Sequence, residues 1–155
     1  MQQRSGSARH ENDGLGCVDL VMAKSPPLRV LLVEDSAVLA ARIAELIDRL
    51  PEVQLVDTVD VEDAAIRHVA SESPDVVILD LHLRTGSGFG VLRSLARSTG
   101  PHPKVIVLTG FDLPQYRREV EFFGVEAFLN KSRDYHRLPA LLTELAHRLG
   151  PRIDH

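Results

Sequence analysis

The sequence predicts a three-layer α/β domain, a five-stranded parallel sheet of order 2-1-3-4-5 with helices on both faces. Three observations predict it. In Asp75-Val76-Val77-Ile78-Leu79-Asp80 four consecutive apolar residues run straight into a carboxylate, with Pro74 before the stretch, the pattern of a strand buried on both faces. Comparable runs recur along the chain, separated by segments with apolar residues at helical spacing, which implies right-handed βαβ units. The polar residues suited to chemistry fall at the carboxyl ends of those runs, where open α/β sheets bind their ligands.

Taken in order, Met1 to about Pro27 carries Gly, Ser and mixed charge without sustained periodicity. Such a segment buries too little apolar surface to offset the entropy of ordering it, so 1–27 is expected to be a disordered N-terminal tail. The folded domain is expected over 28–150, with 151–155 as a C-terminal tail. Leu28 to Val33 reads as the first strand, ending in Glu34-Asp35. Ser36 is the expected N-cap of a helix whose stripe is Leu39, Ile43, Leu46, Ile47 and Leu50. Pro51 stops it. Val53 to Val59 is a more mixed strand, suited to an edge. Asp60 is expected to cap a short helix through about Ala70, and Ser73-Pro74 leads into the Asp75–Asp80 strand.

The loop His82 to Gly88 follows, then a helix from Phe89 to about Arg97 with Val91, Leu92, Leu95 and Ala96 inward. Lys104 to Thr109 is the fourth strand. Asp112 to Phe123 reads as a helix closed by Gly124, and Glu126 to Leu129 as a short fifth strand ending near Lys131. Leu138, Leu141, Leu142, Leu145 and Leu149 form the cleanest helical stripe, stopped by Gly150-Pro151. At this size the flavodoxin-like order is the common solution.

Composition narrows the function. A chain of 155 residues is a natural single domain, and its net charge of -4 gives no support for a nucleic-acid surface. One cysteine, Cys17, excludes an intrachain disulfide and fits a reducing compartment. No stretch approaches the roughly 20 apolar residues of a membrane helix, and no signal pattern opens the chain. The expected location is cytoplasmic, with neither nucleic acid nor membrane as partner.

With the order 2-1-3-4-5, Glu34, Asp35, Asp80, Thr109 and Lys131 converge on one edge of the sheet. Three carboxylates held together repel and raise one another's pKa; a divalent cation relieves this. Oxygen ligands without His or Cys favour Mg²⁺, or Mn²⁺, over zinc. A hydroxyl and an ammonium opposite suit a phosphoryl group. One carboxylate must then be the nucleophile of an acyl phosphate, and Asp80, on the central strand, is best placed. Each residue alone also has a bland reading: a polar loop start, a turn cap, a solvated lysine. Their joint order is what points to a site. Phe122-Phe123 reads as core, Arg117-Arg118 with Glu119 and Glu121 as a solvated helix face, and His68, His102, His136 and His147 as surface.

These residues resemble the receiver (CheY-like) domain of two-component response regulators, over Leu28 to about Leu149. The resemblance rests on Glu34-Asp35, Asp80 in ILDLHL, Gly88-Phe89, Thr109 in VIVLTG, Gly124, and Ala127-Phe128-Leu129-Asn130-Lys131. It implies Asp80 as phosphoacceptor. Asp35, Asp80 and the backbone carbonyl of His82 would ligate Mg²⁺, with Glu34 acting through water. Lys131 would pair with Asp80 or its phosphoryl group, and Thr109 would couple that group to Phe128. The partner-docking face would then be the fourth helix, fifth strand and fifth helix. His82 and Phe111 would flank the path of the water that hydrolyses the acyl phosphate, so a bulky Phe111 implies slow decay. Three positions depart from the family's pattern: Arg84 and Ser132 stand where proline is common, which bears on the loop's rigidity and on the Lys131–Ser132 bond, and Phe128 stands where tyrosine is frequent and cannot hydrogen-bond.

The reading is therefore a stand-alone receiver with no attached output module. It would be phosphorylated by a sensor histidine kinase or a histidine phosphotransfer protein and would signal to a downstream protein target or pass phosphate on. It would be a monomer or a phosphorylation-dependent dimer. It would not be an enzyme beyond its own phosphorylation and dephosphorylation. A Mg²⁺-dependent aspartyl phosphatase is the enzymatic alternative, which would want a second carboxylate where His82 stands. A phosphorylation-independent interaction module is the other.

Overall fold

A computed structural model of the chain describes residues 26–150. The tails expected at 1–27 and 151–155 thus lie outside the described residues, apart from Pro26 and Pro27. The chain alternates β1 (Leu28–Val33), α1 (Ala37–Asp48), β2 (Val53–Val59), α2 (Glu62–Glu72), β3 (Val76–Leu79), α3 (Gly88–Arg97), β4 (Lys104–Thr109), α4 (Pro114–Glu121), β5 (Ala127–Asn130) and α5 (Leu138–Leu149). A short 3₁₀ turn, Tyr135–Arg137, leads into α5. The five strands are parallel, in the order β2-β1-β3-β4-β5.

The strand alternation sorts the core into two layers. Val30, Leu32, Val76, Ile78, Ile106 and Leu108 face α1 and α5, meeting Ile43, Ile47, Leu138, Leu142 and Leu145. Leu31, Val33, Val77, Leu79, Val105 and Val107 face the other way, onto Ala65 of α2, Val91 and Leu92 of α3 and Val120 of α4. Every residue of β3 is buried, which is why its sequence shows no alternation. The edge strand β2 has one buried residue, Val53, and mixed exposure elsewhere.

Register positions the strand ends. Leu79, the last residue of β3, pairs with Val107, so β4 runs two residues past the central strand and carries Thr109 beyond it. There Thr109 pairs with Asn130 of β5, and the Lys131 N–H bonds the Thr109 carbonyl at 2.9 Å.

Several element ends differ from expectation, each for a local reason. Ser36 caps α1 as expected, its hydroxyl accepting from Leu39 N–H at 3.2 Å. Asp60 does not cap α2; its carboxylate turns to Arg84 at 2.8 Å, and Val61 holds the cap position without a side-chain bond. Helix α4 is shorter than Asp112–Phe123. At its start Asp112 is taken by arginines, and at its end Phe122, Phe123 and Gly124 bond back three residues to Glu119, Val120 and Glu121. That tightened turn leaves Phe122 89% exposed while Phe123 packs on the core; only half of the expected core pair is core. His68 is not a surface residue either: its ring is largely covered on α2, 3.7 Å from Asp57. No described helix is long and apolar enough to cross a membrane.

Candidate functional site

Strand ends bring Glu34, Asp35, Asp80, Thr109 and Lys131 to one edge of the sheet. Glu34 and Asp80 are 3% and 4% exposed, and Thr109 is fully buried. Asp35 stands beside them in the open. One carboxylate oxygen from each of Glu34, Asp35 and Asp80 lies within 4.8 Å of the others.

Lys131 reaches this cluster from the end of β5. Its ammonium donates to Asp80 Oδ2 at 2.8 Å and sits 3.0 Å from Glu34 Oε1. Such charge-assisted bonds are the strong kind. Burial pushes the Glu34 carboxyl up, against the Ser36 N–H (2.9 Å) and Lys131, which pull it down, and the Asp80 charge adds to the rise. Burial also opposes the charge on Lys131, but its bonds to Asp80 and then Glu34 outweigh this and hold its pKa above the usual lysine value. The lysine is a cation already standing among the acids. Oxygen donors alone, one of them exposed, suit a hard divalent ion such as Mg²⁺; the residues present fit that group.

The loop after β3 closes one side. The backbone N–H of His82 donates to Asp80 Oδ1 at 3.2 Å. His82 faces Ser87 across an antiparallel bridge, and the Gly88 N–H bonds the Leu81 carbonyl at 3.0 Å. Gly88 is required by proximity: a Cβ there would stand 2.3 Å from the Asp80 carbonyl and 2.9 Å from Leu81 Cα. Arg84, in place of proline, pairs with Asp60 on the surface. Over the loop, the His82 ring lies 3.8 Å from Phe111, which is half exposed, and 5.8 Å from Tyr116. The structure thus brings together the two residues expected to flank Asp80.

Thr109 and Phe128 occupy the other side. The Thr109 hydroxyl accepts from Phe111 N–H at 3.3 Å; among the described residues it has no bond to Asp80 or Lys131. The Phe128 ring is covered by the Arg117 guanidinium, 4.4 Å from its centroid. Arg117, expected on a solvated helix face, is 41% exposed but engaged on its inner side. Asp112 grips it at 2.6 and 3.1 Å and also takes Arg133 at 2.6 Å. The two arginines hold the Asp112 carboxyl far below the ordinary value of 3.8, and Asp112 in turn raises Arg117. Ser132 follows Lys131 through a trans bond, as do all described residues. Its N–H, which proline would lack, donates to Asn130 Oδ1 at 2.8 Å.

Sequence reasoning missed Asp112, Arg133 and Glu62, whose carboxylate accepts from Ser87 N–H at 2.9 Å. The Asp112–Arg117 spacing exceeds a helical turn, and the other contacts join residues more than twenty apart. Glycines at 86, 88 and 90 were the one available signal that something packs closely there.

The chain is similar to known proteins in sequence and in fold. A family model described as response regulator receiver domain matches residues 30–143. The chain is 28% identical over 129 residues to the sensory transduction protein LytT of Bacillus anthracis, covering 82% of this chain and 50% of that protein. It is 36% identical over 127 residues to protein-glutamate methylesterase/protein-glutamine glutaminase 5 of Myxococcus xanthus, covering 82% of this chain and 35% of the other. The chain therefore spans half or less of these relatives' length. Among solved structures, the response regulator domain of Thermotoga maritima CheB aligns with a TM-score of 0.69 at 20% identity, covering 83% of this chain and 99% of that one. The receiver domain of the response regulator NarL from Mycobacterium tuberculosis gives 0.71 at 20% identity, covering 79% and 98%. These two likenesses bear on fold alone. With the family model spanning most of the chain, the protein belongs to the response regulator receiver domain family.

Proposed function

We propose that Asp80 is the phosphoacceptor of a signalling switch, charged from a phosphohistidine on a sensor histidine kinase or a histidine phosphotransfer protein. The reading is carried by one observation: the Lys131 ammonium bridges Asp80 and Glu34 while the Asp35 carboxylate lies within reach of both.

In the reaction, an Asp80 carboxylate oxygen attacks phosphorus as the bond from phosphorus to the histidine nitrogen breaks. The leaving imidazole recovers a proton from solvent. Such transfers need positioning and charge neutralisation more than a base. Lys131, already held at Asp80 Oδ2, would follow the phosphoryl oxygens, and Thr109 would offer its hydroxyl from the projecting end of β4. Glu34, Asp35, Asp80 and the His82 backbone would hold Mg²⁺, with Mn²⁺ as a substitute, which when bound supplies positive charge for the transferred group. The phosphorylated domain of residues 28–150 would act through a downstream protein, through dimerisation or by passing phosphate on. It would use the face of α4, β5 and α5 that Phe128 adjoins. The donor implies a cytoplasmic location. Any activity of the remaining half of its relatives is left to those proteins.

Incubation with phosphoramidate and Mg²⁺ tests the reading. One hydroxylamine-labile phosphate per chain is expected, absent from Asp80→Asn and without Mg²⁺. Continuous turnover of the donor, with no protein-bound phosphate, would indicate an aspartyl phosphatase instead. No reaction would leave an interaction module, and equal labelling of Asp80→Asn would overturn the assignment of the acceptor.

A further inference from the structure

We propose that Glu62 is a positioning residue for the metal side of the site: from the start of α2 it fixes the backbone of His82 by way of Ser87. The inference rests on the phosphoreceiver reading, since only then does the His82 backbone have a ligand to hold.

The connection is continuous. Val61 bridges Thr85, and the Glu62 N–H donates to the Thr85 carbonyl at 3.1 Å. The Glu62 side chain then turns under the loop, and its Oε1 accepts from Ser87 N–H at 2.9 Å. Ser87 is the N-cap of α3, where unpaired N–H groups and the helix field favour a carboxylate. Ser87 in turn faces His82 in the antiparallel bridge. The bond that closes the bridge runs between the flanking residues, Gly88 N–H to Leu81 carbonyl. That is the pairing in which the facing residues do not bond each other, so the His82 carbonyl is not claimed by Ser87.

Glycine makes room for this side chain. A Cβ on Gly90 would stand 2.1 Å from Glu62 Oε2, and one on Gly86 would stand 2.4 Å from Glu62 Cβ. The loop is thus shaped around the carboxylate, and no proline stiffens it. The other side-chain tie to α2's approach, Arg84 to Asp60, is 62% and 52% exposed and contributes little in water. Glu62 is the partner that sets where the loop stands relative to Asp80.

Calorimetric Mg²⁺ titration of the full chain, paired with the Mg²⁺ dependence of phosphoramidate labelling, tests the assignment. Glu62→Ala is expected to raise the Mg²⁺ Kd roughly tenfold, the lower end of what residues orienting metal ligands contribute, while labelling at saturating Mg²⁺ stays at the parent level. Glu62→Gln, whose amide oxygen can accept the same bond, should recover most of the affinity. Arg84→Ala should match the parent. If Glu62→Ala does not fold, Glu62→Asp, too short to reach Ser87, replaces it. Parent-like Mg²⁺ affinity in the truncated variant would overturn the proposal, as would reduced maximal labelling with unchanged Mg²⁺ dependence. Equal loss in Ala and Gln would remove its hydrogen-bond basis. If the parent itself shows no Mg²⁺ binding, the reading of the site fails first, which the parent titration reveals independently of any variant.

Discussion

The loop after β3 and the two loops after β4 and β5 face each other across Asp80, yet different forces hold them. The first is fixed by backbone contact at van der Waals range and by a carboxylate tucked among glycines. The second pair is fixed by ion pairs at the surface, Asp112 to Arg117 and Arg133, with a guanidinium laid over Phe128. Close packing tolerates no displacement without a steric cost. Surface ion pairs are weak and screened by salt. One side is built as a fixed wall. The other leans on ion pairs, and it is the side that carries Thr109 and Phe128.

The comparison is broken most severely at Gly88. Gly88→Ala places a methyl against the Asp80 carbonyl, and overpacking of this kind costs about 1–3 kcal/mol. A lower urea midpoint, together with weaker Mg²⁺ binding, is expected; an unchanged midpoint would show that the wall yields.

Phe111 is where the two sides touch, through His82. Phe111→Ala should speed loss of phosphate from Asp80 several-fold, followed as decay of the labelled protein, and leave the urea midpoint nearly unchanged because the ring is half exposed. A parent-like decay rate would mean the ring does not screen the acyl phosphate.

Asp112 sharpens the comparison through pH and salt. Its folded-state pKa lies below the ordinary 3.8 because Arg117 and Arg133 bond the ionised form. A depressed carboxyl stabilises the fold above its unfolded value and loses that contribution as pH falls towards the folded one. The urea midpoint of Asp112→Asn should therefore trail the parent modestly at pH 7, and the gap should close below about pH 4. In about 1 M salt, where the screening length is ~3 Å, the gap should shrink while that of Gly88→Ala persists. Arg117→Lys is the mildest change, losing the two-pronged grip on Asp112 and part of the ring contact. The contact is worth about 0.5–1 kcal/mol at exposed sites, again read as the urea midpoint.

What could be read from the sequence follows the same division. The layers were legible because β3 is apolar throughout, β1 and β4 are apolar but for Arg29, Lys104 and Thr109, and the helical stripes are regular. The acids, Thr109 and Lys131 were legible because each ends a strand. The loops were not. Asp60 has the chemistry of a helix cap, and only the path of the loop makes it a surface partner of Arg84 and makes Glu62 a brace for Ser87. Phe122 and Phe123 are identical neighbours, and the tight turn closing α4 decides which is buried.

The single backbone bond from Lys131 to the Thr109 carbonyl has a mechanical consequence. The ammonium and the hydroxyl hang from one shared frame, two adjoining strand tips tied edge to edge. A pull on either is therefore felt by both, and under the proposed phosphorylation of Asp80 the outer rim of the sheet would share in it through this main-chain tie.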